Sequence, residues 1–116
     1  MTRYVTYQLL IEVTRPLRVN IGRFGKHDFP AGRYIYTGSA KCNFEARIVR
    51  HIRREKALRW HIDYLLAAAG VSIAGVRRYV EGECTINQAT PGWVVVHGFG
   101  ASDCRMGCGS HLKQVG

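Results

Sequence analysis

Arg33-Tyr34-Ile35-Tyr36-Thr37-Gly38-Ser39-Ala40 decides the fold. Its first five residues read as a strand, because aromatic and β-branched side chains suit a pleated surface, and Gly38 reads as the stop. Residues two apart share a strand face, so Tyr34 and Tyr36 point the same way. Upstream, Tyr4–Val13 (YVTYQLLIEV) has the same chemistry and reads as a first strand. The two pair antiparallel across a long loop, Arg15–Gly32, which holds two prolines, three glycines and a short extended piece around Leu17–Ile21.

Downstream, Asn43–Arg54 predicts a helix. Phe44, Ile48 and Ile52 recur at four-residue spacing as one apolar stripe, and Asn43 suits the N-cap. Arg47 and His51 lie together on one edge of that stripe, with Arg50 and Arg54 further round the same flank. A side chain on such a boundary is both held by packing and open to a ligand. A second helix over Leu58–Ala69 is expected to bury Leu58, Ile62, Leu65, Leu66 and Ala69, with Gly70 just past its end. Ser72–Val80 reads as a third strand interrupted by Arg77-Arg78, Trp93–Val96 as a short apolar strand or a buried segment, and the glycine-rich stretch Gly98–His111 as an irregular loop.

The 116 residues, 47% hydrophobic and 22% charged, are those of one globular domain spanning 1–116. No apolar run approaches the roughly 18 residues that span a bilayer. The start Met1-Thr2-Arg3-Tyr4 lacks a cationic stretch ahead of an unbroken apolar core, which argues against a signal peptide and for a cytoplasmic protein with no membrane partner. The formal charge of +9 is unevenly placed: residues 1–60 hold 13 Lys+Arg against 4 Asp+Glu, and residues 61–116 hold 4 of each. Such an excess suits a polyanion, since each neutralised phosphate releases condensed counterions, and Lys41, Arg50 and Arg54 are the expected phosphate contacts. Without an export signal, Cys42, Cys84, Cys104 and Cys108 are expected to be reduced. Cys104-x-x-x-Cys108 with His111 nearby, and Cys84 or His97 in addition, has only a loose likeness to zinc-ligand spacing, so zinc is disfavoured.

Chemistry concentrates in three places. Tyr7 sits on the first strand and Tyr36 on the second. Arg47 offers a planar guanidinium suited to bidentate phosphate contact, with His51 one turn further on. Glu83, expected in a turn after the third strand, is a carboxylate able to hold a hard divalent cation that bridges a phosphate.

Tyr7, Tyr36-Thr37-Gly38, Arg47, His51 and Glu83, in that order, resemble the GIY-YIG nuclease domain, and the small stand-alone Uri-type endonucleases above all. Phe29-Pro30-Ala31-Gly32-Arg33-Tyr34-Ile35-Tyr36-Thr37-Gly38-Ser39-Ala40, Arg47-x-x-x-His51, Trp60-His61-Ile62-Asp63-Tyr64-Leu65, Glu83-Cys84, Gly98-Phe99-Gly100-Ala101-Ser102-Asp103-Cys104 and Gly109-Ser110-His111-Leu112 carry the likeness over residues 4 to 113. The departures are Val5-Thr6-Tyr7 in place of Gly-Ile-Tyr, Thr37 in place of isoleucine, and a Cys104–Cys108 segment two residues longer than usual. The resemblance implies an α+β fold with a three-stranded antiparallel sheet flanked by helices, and metal-dependent hydrolysis of nucleic-acid phosphodiesters. It implies that Tyr7 activates the attacking water, Arg47 stabilises the phosphate's developing charge, and Glu83 holds one Mg2+ or Mn2+. Tyr36 would orient the phosphate or water, with His51 and His61 assisting and Asp63 making a structural hydrogen bond. DNA is favoured over RNA, with a homodimer or partner protein supplying specificity. A non-cleaving nucleic-acid-binding domain of the same fold is the alternative, and a zinc-stabilised interaction module a third.

Overall fold

A computed structural model describes residues 3–53, 56–101 and 107–116. Two long strands, β1 (Thr6–Val13) and β4 (Gly32–Ser39), pair antiparallel along their full length. Between them Leu17–Asn20 (β2) and Lys26–Phe29 (β3) form a hairpin around a 3-10 turn at Gly22–Phe24. The chain then gives α1 (Phe44–Ile52), α2 (His61–Leu66), β5 (Val71–Tyr79), α3 (Glu83–Ala89), β6 (Trp93–Val94) and β7 (Leu112–Gln114). The main sheet runs β5-β1-β4-β7-β6 with every neighbouring pair antiparallel. The expected α+β architecture with an antiparallel sheet is present, but the sheet has five strands rather than three, and a two-stranded hairpin lies beside it. Among the described residues no helix is long and apolar enough to cross a membrane.

Alternation along β1 sorts its side chains. Tyr7, Leu9, Ile11 and Val13 join Tyr34 and Tyr36 on the face covered by Ile48 of α1 and by Ile62, Leu65 and Leu66 of α2, and Phe29 and Phe99 complete this core. Thr6 and Gln8 point to the other face and are buried there too. Gln8 donates to Thr37 Oγ1 at 3.1 Å and to Thr90 Oγ1 at 2.8 Å, just past α3, and accepts from Tyr79 at 2.9 Å.

Three expectations shift. Gly38 does not stop the strand: β4 continues to Ser39, since Gly38 pairs with Tyr7 in the ladder. Arg77 and Arg78 do not interrupt β5, because an edge strand can direct charges to water; Arg78 makes a bidentate bond to Glu45. Glu83 opens a helix rather than sitting in a turn. Its sequence, ECTINQA, is poor in helix formers, and tertiary contacts compensate. Asn87 donates to Ser110 O at 2.8 Å, and Lys113 Nζ caps the last carbonyls by donating to Asn87 O at 2.5 Å and Thr90 O at 2.7 Å.

The helices are shorter than their apolar patterns. Ile52, Leu58 and Ala69 are exposed. Asn43 does precede α1, but in the left-handed region (φ 54°) and with no side-chain cap bond. Asparagine tolerates that conformation better than most residues. At the start of α2, buried Asp63 accepts from the backbone N–H of Arg59 (2.9 Å) and Trp60 (3.0 Å) and holds Arg50 by two 3.0 Å bonds. Burial opposes this charge, but the Arg50 guanidinium and the two N–H groups hold its pKa below the usual carboxylate value. Asp63→Ala is therefore expected to cost about 3 kcal/mol in a urea denaturation series, the scale for unpairing a buried ion pair.

Candidate active site

A cavity of about 490 Å³ opens at the end of the β1–β4 ladder, where α1 and α3 begin. Tyr7, Tyr36, Ser39, Arg47, Trp60 and Glu83 line it, with Gly38, Cys84, Gly100 and His111. The ladder explains the pairing of motifs: Tyr7 faces Gly38 directly. A Cβ on Gly38 would lie 2.5 Å from the Tyr7 hydroxyl oxygen and 2.6 Å from Cζ. This glycine is therefore required for space, leaving room for the Tyr7 ring. Position 5 has no such requirement. Val5 has no positive φ, and its N–H donates to Tyr79 O while its carbonyl accepts from Ala40 N–H.

The Tyr7 hydroxyl lies 2.6 Å from Nε2 of His51. Burial pushes the Tyr7 pKa up, against the pull of Arg47, so the phenol stays protonated at neutral pH. Burial lowers His51 to about 4, so its imidazole stays neutral. With those charge states Tyr7 donates and Nε2 accepts, which puts the imidazole proton on Nδ1. That atom is buried without a hydrogen-bond partner among the described residues. Tyr36 is also buried and held protonated, chiefly by desolvation, with its ring 6.3 Å from that of His51.

Glu83 is held from two sides. Ser39 Oγ donates to Oε2 at 2.6 Å, and His111 Nδ1 lies 2.5 Å from Oε1. Burial works against the charge, but these two partners and Arg47 lower its pKa and keep it ionised. Arg47 donates to Ser39 O at 3.0 Å, with its guanidinium 4.9 Å from the centre of the Trp60 ring. A tyrosine, an arginine and a carboxylate thus face one shared cavity.

The chain's other expected site residues lie elsewhere. His61 is absent from the cavity wall. Its Nδ1 accepts from Gly100 N–H at 2.9 Å and its ring stacks on Phe24 at 4.2 Å, so it props up the glycine loop. Arg50, expected to bind phosphate, is engaged by Asp63 and Ala57 O and lies 4.3 Å over Trp60, so a phosphate contact would have to displace a buried carboxylate. Lys41 is exposed in the connection between β4 and α1. Arg54 and Cys104 lie outside the described residues.

The profile of a family described as domain of unknown function DUF123 matches residues 6–116. The chain belongs to the DUF123 family. No curated protein and no solved structure matches it. Sequence reading gave no cavity role in this DUF123 domain to Ser39, Trp60 or Gly100, or to the hold of His111 on Glu83. Ser39 and Trp60 stand inside the quoted blocks, but no sequence spacing signals that β4, α1, α3 and the C-terminal loop meet at one point.

Two outcomes follow for the DUF123 domain. Gly38→Ala is expected to cost about 1–3 kcal/mol, the range for overpacking, read as a lowered urea midpoint, because the Tyr7 ring must move. The low His51 pKa also sets a pH dependence. The unfolded chain protonates this histidine near its ordinary value of 6.5 and the native chain near 4. The contribution is complete above pH 6.5 and is lost as pH falls towards 4. Urea midpoints should drop across that window, and His51→Gln should flatten the slope; His61, also lowered by burial, accounts for part of what remains.

Proposed function

We propose that this DUF123 domain is a metal-dependent endonuclease with a GIY-YIG-like fold, hydrolysing nucleic-acid phosphodiester bonds, DNA ahead of RNA. The observation that carries the reading is Tyr7, which lines one cavity with Arg47 and an ionised Glu83 and, behind that wall, hydrogen-bonds to buried His51. A phenol with a raised pKa is a poor base by itself. Bonded to a neutral imidazole, it has a place to send its proton. Tyr7 takes a proton from the attacking water on its oxygen as its own hydroxyl proton passes to His51 Nε2. A phosphate entering the cavity favours the resulting imidazolium by its negative charge. Arg47, braced by Ser39 O and Trp60, neutralises charge on the phosphoryl oxygens as the fifth bond forms.

The donor set at Glu83 suits a hard cation: one ionised carboxylate with the Ser39 hydroxyl beside it, leaving further positions for water and phosphate oxygens. Glu83 would hold one Mg2+ or Mn2+, which when bound supplies Lewis-acid stabilisation of the leaving oxygen. The excess positive charge of residues 1–60 supports attraction of a polyanion.

The test is a panel of single-stranded, duplex, branched and nicked DNA, plus RNA, incubated with Mg2+, Mn2+ or EDTA. Tyr7→Phe keeps the ring and is expected to lower the cleavage rate by about 10² or more, the scale of lost acid–base help. Glu83→Gln should abolish most metal-dependent cleavage while binding persists. Wild-type binding without cleavage on every substrate would establish the non-cleaving alternative, and wild-type rates in Tyr7→Phe would refute the water-activation step.

A further inference from the structure

Beside Glu83, where Cys84 and His111 themselves line the cavity, three side chains from separate parts of the chain converge. Cys84 stands in the first turn of α3, Cys108 in the C-terminal loop, and His111 immediately before β7. Their ligand atoms all lie within 4.8 Å of one another. Four donors at about 2.3 Å (thiolate sulfur) or 2.0–2.1 Å (imidazole nitrogen) around a tetrahedral ion stand less than 4 Å apart, so a small closure suffices. From this geometry we infer that Cys84, Cys108 and His111 form a site for a thiophilic divalent metal, Zn2+ above all, distinct from the hard-cation position at Glu83.

Donor chemistry separates the two positions. Two thiolates and an imidazole select zinc and similar soft ions, whereas one carboxylate and a hydroxyl suit Mg2+. The surroundings are those of a metal-bound histidine. His111 Nδ1 lies 2.5 Å from Glu83 Oε1, the carboxylate–histidine arrangement that fixes the tautomer of metal-bound histidines and makes Nε2 the nitrogen that would ligate. The histidine is pinned through its backbone as well: its N–H donates to Phe99 O at 2.8 Å and its carbonyl accepts from Thr37 N–H at 2.9 Å. Gln88 Nε2 approaches Cys108 Sγ at 3.7 Å from the same face of α3. Sequence spacing alone disfavoured zinc because Cys104-x-x-x-Cys108 is a looser pair than structural zinc sites use; α3 brings Cys84 to Cys108 and His111.

A metal here fastens the C-terminal loop to α3. That loop supplies Gly100 to the cavity wall, and α3 supplies Glu83. The site stands whether or not the cavity cleaves, so its test reads metal and not activity. Full-length protein made without chelators or a histidine tag should retain one zinc per chain by plasma mass spectrometry. Metal-free protein titrated with Co2+ should develop the intense near-ultraviolet thiolate-to-cobalt band and tetrahedral visible bands. Cys84→Ser and Cys108→Ser should each lose most of that band, and Cys42→Ser, an exposed position outside the cluster, should keep it. If either variant fails to fold, the wild-type chain decides. Its thermal midpoint should rise with added Zn2+, since a ligand that binds the native state stabilises it by mass action. Reduced wild-type protein that takes up no zinc, or binds Co2+ without the thiolate band, would overturn the site. So would a Cys84–Cys108 disulfide in freshly purified protein, seen as a mass short by two hydrogens.

Discussion

Tyr7 occupies its place because the residue facing it across the β1–β4 ladder has no side chain. From that absence the rest follows. The ring settles over Gly38 and its hydroxyl reaches α1, where His51 meets it at 2.6 Å. The same helix delivers Arg47 one turn earlier, so a single bond between strand and helix fixes the angle at which the guanidinium enters the cavity. Ser39, next to Gly38, is then placed to work in two directions. Its carbonyl accepts from Arg47 and its hydroxyl donates to Glu83. A two-residue stretch of backbone therefore sets the distances among a phenol, a cation and a carboxylate.

The interior around this stretch holds many polar side chains. Thr6, Gln8, Thr37, His51, Asp63, Asn87, Ser110 and His111 are all buried. Polar groups out of water cost free energy unless they find partners, and here the partners lie on different elements. Gln8 joins β1 to β4 and to the end of α3, Asn87 joins α3 to the C-terminal loop, and Asp63 joins α2 to α1. Apolar packing could hold these elements together in many registers. Directional bonds select one, and a site assembled from β1, β4, α1 and α3 needs that selection more than it needs added stability.

Much of this was legible because the strands and α1 have strong local patterns. Alternating β-branched and aromatic residues marked β1 and β4, and the Phe44–Ile48 spacing marked α1 with Arg47 and His51 on its edge. What escaped depended on contacts between distant segments. Helix α3 has a weak intrinsic preference and is held by Lys113 and Ser110, which come after it in the chain. Arg50 looked like a phosphate contact because the helical pattern places it on a basic flank, but the pattern carries no record of Asp63 arriving from α2. His61 stands beside Trp60 in sequence, yet its ring turns towards Phe24 and Gly100. Strands β6 and β7, two and three residues long, are too short to show a period and exist through pairing with β4 and each other.

Glu83 and His111 form the junction at which α3 meets the C-terminal loop. Glu83 belongs to the cavity through Ser39 and Arg47, and His111 is tied to the C-terminal loop through Phe99 and to β4 through Thr37. A proton on Nδ1 of His111 lets it donate to Glu83 while either a soft metal or another donor engages the far side of the ring. The carboxylate gains a hydrogen bond that favours its charged form, and the imidazole gains an acceptor that fixes its orientation. On the proposed reading, each group would prepare the other for a different ion, a hard one at the carboxylate and a soft one at the imidazole. Substituting either residue disturbs both positions. Cys84 and Cys108 are the side chains through which the soft position can be altered without touching the carboxylate.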